Sequence, residues 1–174
     1  MSAVSPDGYW GPLLAFVHEH SELSVMIVFG LGFAESIAFV SLFVPSTILF
    51  LAIGGVYSAA GGSFWELWLA GSAGAAAGDC LSYAFGSHFK GDTHRIWPMS
   101  RFPELLPKGR ALFERWGVWS LFAGKFIGAL RPFVPVVAGM MDMPWALFLI
   151  GAIGSSLVWS GVFLAPGFGL RMLW

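Results

Sequence analysis

Four charged residues lie inside apolar stretches of this sequence, and they are the groups best placed to do chemistry: Glu35, Asp79, Lys125 and Arg131. A charge at the centre of a membrane helix costs about 2.5–3.5 kcal/mol even on insertion scales. These side chains are therefore expected to face the protein interior and to pair, for example Glu35 with Arg131 or with Lys125. The two bases would bind an anion such as a phosphate, while Glu35 and Asp79 would exchange protons or act as counter-charges.

The composition indicates that these charges sit in a bilayer. Of 174 residues, 57% are hydrophobic and 11% are charged, and the mean hydropathy is +0.75. Soluble domains have roughly 45–50% apolar and about 25% charged residues, so the surplus apolar surface is expected to face lipid. The net charge of −1 gives no reason to expect nucleic-acid binding. A single Cys and four scattered His predict neither a disulfide nor a metal site, and no cofactor is expected.

The elements of the first half follow from hydropathy and proline. Residues 1–22 hold one short apolar stretch, Tyr9–Val17, which the polar residues 18–22 follow. They predict an interfacial helix, because this stretch is too short to span about 30 Å of hydrocarbon, which takes around 20 apolar residues. Residues 23–60 form an apolar run that Pro45 interrupts, and two half-helices meeting there predict a re-entrant hairpin. Residues 64–88 predict a full span whose small-residue face comprises Gly71, Gly74, Ala75 and Gly78.

The second half begins with a basic segment. Residues 89–117 hold six of the nine Lys and Arg, interleaved with Leu and Phe. This pattern predicts an amphipathic helix at the membrane surface, on the cytoplasmic side by the positive-inside rule. Residues 118–143 are apolar again and predict a second re-entrant hairpin, with Pro132 and Pro135 at its tip. Residues 145–167 predict the last span.

The two halves resemble each other. Phe43-Val44-Pro45 recurs as Phe133-Val134-Pro135, and a charge stands eight residues before each Phe, at Glu35 and at Lys125. The spans that follow share the pattern W-x-L-x-L-x-G-x-x-G, from Trp65 to Gly74 and from Trp145 to Gly154. We interpret this as an internal repeat.

With the basic segment inside, the second hairpin enters from the face opposite the first, so the repeats are inverted. The prediction is a single all-α integral membrane domain, residues 1–174, with a binding site near the bilayer midplane. Glu35 and Lys125 are then expected to form an opposed acid–base pair around one cavity. Tyr83, four residues after Asp79 on the same helix face, is expected to orient that carboxylate.

Three motifs resemble those of the DedA family of membrane proteins, over roughly residues 20–167. The first is Glu35 followed by Val44-Pro45-Ser46-Thr47 and Ala52-Ile53-Gly54-Gly55, and the second is Gly78-Asp79 with Tyr83 and Gly86. The third is Gly124-Lys125-Phe126-Ile127, then Arg131, Pro135 and Ala138-Gly139.

This resemblance implies a bacterial lipid transporter with two re-entrant hairpins in the cytoplasmic membrane. Family members are similar to flippases that move undecaprenyl phosphate or phospholipids, and some depend on the proton motive force. Two positions depart from the family pattern. Thr47 stands where many members have an acid, and Lys125 stands where they have the first of two arginines, so proton coupling is left open.

Together these observations predict a multi-pass protein that translocates an anionic lipid phosphate. Arg131, Lys125, Ser46 and Thr47 would bind the headgroup. A proton-coupled small-ion transporter and a membrane assembly factor that does not transport remain alternatives, and a homo-oligomer is compatible with the sequence. An enzyme is not expected, because the sequence offers neither a metal cluster nor a nucleophile–base pair.

Overall fold

The computed structural model describes residues 15, 19–37, 46–88, 105–127, 131 and 133–169, and within these ranges the secondary structure is helical, without strands. The helices are α1 (Ser21–Ser36), α2 (Ser46–Ala59), α3 (Phe64–His88), α4 (Leu105–Trp116), α5 (Trp119–Phe126), α6 (Phe133–Met140) and α7 (Trp145–Gly169). The chain is thus an all-helical protein over its described part. Most of the predicted interfacial helix, the residues around Pro45 and most of the basic segment lie outside these ranges. The last two residues predicted for the interfacial helix, Ser21 and Glu22, belong to α1.

Each of the two interrupted apolar runs contains a pair of helices, and the first helix of each pair ends in the same way. Ile37 follows α1 in an extended conformation, with φ −83° and ψ 125°. Ile127 follows α5 with φ −94° and ψ 95°. Each of these isoleucines donates its backbone N–H to the carbonyl oxygen three residues earlier, at 3.3 Å. The charges Glu35 and Lys125 therefore occupy the same place, one residue before the end of their helix.

Close packing of α1 on α3 depends on glycine. A Cβ atom on Gly78 would lie 2.5 Å from the Phe33 carbonyl oxygen, and one on Gly32 would lie 2.6 Å from the Gly71 carbonyl oxygen. Such contacts leave no room for any side chain, as expected where helix backbones touch. The glycine face predicted for this span is therefore the surface that receives α1.

In each half, one of the two paired helices packs on the long helix of its own half and the other packs on the long helix of the opposite half. In the first half α1 packs on α3, whereas α2 packs on α7. In the second half α5 packs on α7, whereas α6 packs on α3. The long helices α3 and α7 also contact each other. Each long helix thus holds one helix from each half.

The outer surface is apolar. Large hydrophobic side chains are exposed along α1, α2, α3 and α7, including Met26 at 67%, Ile48 at 69% and Ile150 at 67%. Soluble proteins rarely expose contiguous apolar patches of this extent. Among the described helices, α7 is long and apolar enough by itself to cross a membrane. Four exposed Trp lie at helix ends, which is typical of the membrane interface: Trp65, Trp116, Trp119 and Trp145.

The basic segment is described only in α4. This helix is amphipathic, because Phe113 is buried against the core while Arg110, Glu114 and Arg115 are exposed. Phe113 belongs to a cluster with Leu121, Val134 and Phe148, which ties α4 to the second half of the chain. The positive charge of α4 therefore lies on its outer face.

Candidate functional site

The first buried ion pair joins Asp79 in the middle of α3 to Lys125 near the end of α5. The Lys125 Nζ atom lies 2.7 Å from Asp79 Oδ2, and both side chains are nearly inaccessible. The ammonium also donates to Ser156 Oγ on α7 at 2.5 Å, and this hydroxyl donates to Asp79 Oδ2 at 3.5 Å. Three elements therefore meet at one charge pair, and hydrogen bonds offset part of the cost of burying it.

The second ion pair joins Glu35 of α1 to Arg131 in the break between α5 and α6, through Arg131 Nη1 and Glu35 Oε1. The backbone N–H of Arg131 donates to the Ile127 carbonyl oxygen at 3.0 Å, which holds the backbone of Arg131 near the end of α5. The guanidinium also lies over the Trp159 ring, 4.0 Å from its centroid. A stacked, paired arginine of this kind is held in place by aromatic and ionic contacts together.

These contacts correct the expected pairing. Glu35 pairs with Arg131, one of the two partners proposed for it, whereas Lys125 pairs with Asp79. The acid–base pair between Glu35 and Lys125 is therefore not formed. Tyr83 does not orient Asp79 either, because its hydroxyl donates to the Met143 carbonyl oxygen at 2.5 Å. The reason is that α6 packs on α3 beside Tyr83, so the turn after α6 offers a backbone acceptor to its hydroxyl.

The predicted hairpin tips are only partly described. Pro45 and Pro132, and the side chains of Ser46 and Thr47, lie outside the described residues. Pro135 is buried in the first turn of α6 and does not form a tip. Proline is tolerated there because the first backbone N–H groups of a helix have no intrahelical acceptor. The break in this half therefore precedes Phe133.

Two residues of the site were not singled out from the sequence. They are Ser156 and Trp159, and the latter is one of nine tryptophans in the sequence. The repeat offered a signal for Trp159, because it stands fourteen residues after Trp145, as Asp79 stands fourteen residues after Trp65. No comparable pattern marked Ser156, whose role depends on how α7 packs against α3 and α5.

We call the four residues of the two ion pairs the ion-pair cluster, and together they carry no net charge. Each pair takes its acid from the first half of the chain and its base from the second. The cluster therefore joins the two halves of the chain. Among the described residues, no group of three His, Cys, Asp or Glu could hold a metal ion.

A separate polar pocket of about 250 Å³ lies at the end of α2 and the start of α3, where the Tyr57 hydroxyl donates to a Glu66 carboxylate oxygen. Its lining does not include any residue of the ion-pair cluster. The pocket and the cluster are therefore distinct features.

An all-helical fold, an apolar outer surface and paired charges in its interior define a membrane protein. A VTT-domain family model matches residues 44–168. The inner membrane protein YabI of Escherichia coli (strain K12) is 35% identical over 152 residues, covering 87% of this chain and 60% of its own length. The chain belongs to the VTT-domain family, which is the DedA family.

Other relatives carry less specific names. An uncharacterized membrane protein of Buchnera aphidicola from Acyrthosiphon pisum, BU139, is 30% identical over 155 residues, covering 89% of this chain and 60% of its own length. The uncharacterized membrane protein Rv2637 of Mycobacterium tuberculosis is 34% identical over 92 residues, covering 51% of this chain and 42% of its own length. The chain thus spans about 60% of the length of the first relatives it matches. No solved structure matches it.

Proposed function

We propose that this chain translocates an anionic lipid phosphate, such as undecaprenyl phosphate or a phospholipid, across the bacterial cytoplasmic membrane. The observation that carries the proposal is the buried ion-pair cluster at the junction of the two halves. Four charges are kept in the interior of a protein whose exterior is apolar. Such residues in membrane proteins usually mark a pathway for substrate or ions.

The architecture proposed for this function is an inverted repeat of two re-entrant hairpins and two spanning helices. The helices α3 and α7 have 25 residues each, about 37 Å, which is enough to cross the hydrocarbon core. The helices α5 and α6 have eight residues each, about 12 Å, which is too short to cross. Two observations support two equivalent halves of opposite orientation. The first helix of each pair ends in the same way, at Ile37 and at Ile127, and each long helix packs against one helix from each half.

In this proposal the phosphate headgroup binds by replacing a carboxylate as the counter-ion of a buried base. A phosphate that reaches Arg131 would replace or share Glu35 as its counter-ion, and one that reaches Lys125 would do the same with Asp79. The guanidinium fork suits two phosphate oxygens at once, whereas the ammonium acts as a point charge. A carboxylate released in this way would take up a proton, which would couple transport to a pH gradient through Glu35 or Asp79.

The exchange would also link binding to movement. Both ion pairs bridge the two halves, so loss of either one loosens the junction that alternating access must open. The lipid tail would remain in the bilayer beside the exposed apolar faces while the headgroup crosses the interior. No step needs a bond to be made or broken, so the proposal is for a transporter rather than an enzyme.

The test is a flipping assay in proteoliposomes with a fluorescent lipid phosphate. Arg131→Ala is expected to abolish transport, and Arg131→Lys to retain only part of it because the fork is lost. Arg115→Ala is the matched control, because Arg115 is exposed on α4 beside Trp116. Monodisperse elution in detergent shows whether each variant is folded.

The outcomes separate the alternatives. Normal transport by a folded Arg131→Ala variant would rule out this site. Transport of a small anion that soluble phosphate blocks and lipid phosphate does not would favour the small-ion transporter. Release of free phosphate from the lipid would indicate an enzyme instead.

A further inference from the structure

Three buried polar atoms without a hydrogen-bond partner among the described residues occur in one group of touching side chains. They are Glu35 Oε2, Arg131 Nε and Trp159 Nε1. Trp159 is 1% exposed and Glu35 is 4% exposed. Most buried polar groups in proteins are hydrogen-bonded, so each exception calls for an explanation. Here three exceptions coincide with the second ion pair.

The three side chains are held in fixed relation. Glu35 is ion-paired with Arg131 through its other oxygen, and the guanidinium stacks on the Trp159 ring at 4.0 Å. Phe50 packs against the same ring edge-on, with ring centroids 4.9 Å apart, and Phe163 packs against it at 5.3 Å. The indole therefore cannot rotate freely to find an acceptor elsewhere.

The indole of Trp68, at the interface between α3 and α7, makes the hydrogen bond that is usual for a buried indole. Trp68 on α3 donates its Nε1–H to the Leu157 carbonyl oxygen on α7 at 2.8 Å. The interface between α3 and α7 thus provides an acceptor for one indole and none among the described residues for the other. The unpartnered indole is the one that lies under the arginine.

The internal repeat places Trp159 at a functional position. In the shared helix pattern Trp159 is the counterpart of Asp79, each fourteen residues after the opening Trp. Asp79 holds Lys125, and Trp159 holds Arg131. The two long helices thus present one residue each, at equivalent positions, to the two cations of the second half.

We propose that Trp159 is a phosphate-binding residue, whose indole N–H donates to an oxygen of the same phosphoryl group that receives the Nε–H of Arg131. This inference rests on the proposed function and adds a residue to its site. Two donors and one acceptor complement a phosphate monoanion, which offers oxygens to Arg131 and Trp159 and a P–OH group to Glu35 Oε2. The shared chemistry is a phosphoryl group, carried either by a lipid or by free phosphate.

The experiment measures binding to the purified full chain in neutral detergent by calorimetry. The probes are dodecyl phosphate and inorganic phosphate, and the variant is Trp159→Phe, which keeps an aromatic ring beneath Arg131 and removes the N–H. Loss of a hydrogen bond to a charged group is expected to weaken binding of both probes about tenfold or more. Thermal stability without ligand is expected to be unchanged or higher, because an unpartnered buried donor is removed.

Two further variants make the result decisive. Trp65→Phe is the matched control, because that indole is 63% exposed, and it should bind like the wild type. Arg131→Ala tests the proposed function itself: if it binds both probes as tightly as the wild type, or if the wild type binds neither, the phosphate site does not exist.

The remaining outcomes concern Trp159 alone. If Arg131→Ala loses binding and Trp159→Phe does not, the indole is not part of the site and only this inference is wrong. A loss confined to dodecyl phosphate would assign Trp159 to the lipid tail, and a marked fall in thermal stability would assign it to packing. Either result overturns the inference. Equal affinity for both probes, with the same loss in Trp159→Phe, would support the inference with free phosphate as the source.

Discussion

Replacing Lys125 with Met tests whether the interior charges depend on each other. The Lys125 and Asp79 side chains are 5% and 3% exposed, and their charged atoms are 2.7 Å apart. Removing the ammonium leaves a buried carboxylate with hydroxyl partners only. Breaking a buried ion pair from one side typically costs about 3–5 kcal/mol, because the remaining charge is not compensated.

For a chain of this size, each kcal/mol changes the melting temperature by about 2–4 °C. The apparent melting temperature of Lys125→Met should therefore fall by roughly 10 °C. It can be measured in detergent by following monodisperse elution after heating. The comparison must use one heating protocol, because an apparent melting temperature depends on the heating rate when unfolding is irreversible.

The double variant Lys125→Met with Asp79→Asn separates charge from packing. It removes both charges and keeps side chains of similar size, and neutral replacement of a buried pair is often tolerated. The double variant should recover most of the lost stability, yet it should not transport if the pair is part of the substrate pathway. Lys108→Met is the control, because Lys108 is exposed on α4.

Two results would refute this reasoning. If Lys125→Met melts within 2–3 °C of the wild type, which is about 1 kcal/mol, the pair is not buried as described. If the double variant is as unstable as the single one, the loss arises from packing of the lysine stem and not from an uncompensated charge.

Two other predictions concern the scaffold. Gly78→Ala should lower stability by about 1–3 kcal/mol, since its Cβ would meet the Phe33 carbonyl oxygen at 2.5 Å. Gly30→Ala, with open space around it, should have little effect, and equal melting of the two would contradict the close packing of α1 on α3. Val158→Lys, on the exposed side of α7, should impair membrane insertion by about 2.5–3.5 kcal/mol. Unchanged insertion in a glycosylation-mapping assay would mean that this face does not contact lipid.

Much of the helical arrangement could be predicted from hydropathy. The span predicted over 64–88 lies where α3 is observed, and that predicted over 145–167 lies within α7. These signals are strong because apolar runs and their interruptions are local properties of the chain. Of the two prolines predicted at the tip of the second hairpin, Pro135 was wrong, because it lies in the first turn of α6. Proline forbids an internal hydrogen bond only beyond the first turn, and the sequence alone does not say where the turn begins.

The sequence by itself determined, through hydropathy and three motifs, that this is a membrane protein of the DedA family. It also indicated that four charges are buried and paired, because a charge that faces lipid costs about 2.5–3.5 kcal/mol. It could not determine which acid meets which base. That depended on tertiary packing, in which α1 and α6 pack on α3 while α5 packs on α7. This packing brings Glu35 to Arg131 and Asp79 to Lys125. Only tertiary packing brings Ser156 and Trp159 into the site, since both contacts join residues of α7 to partners more than 25 residues away along the chain.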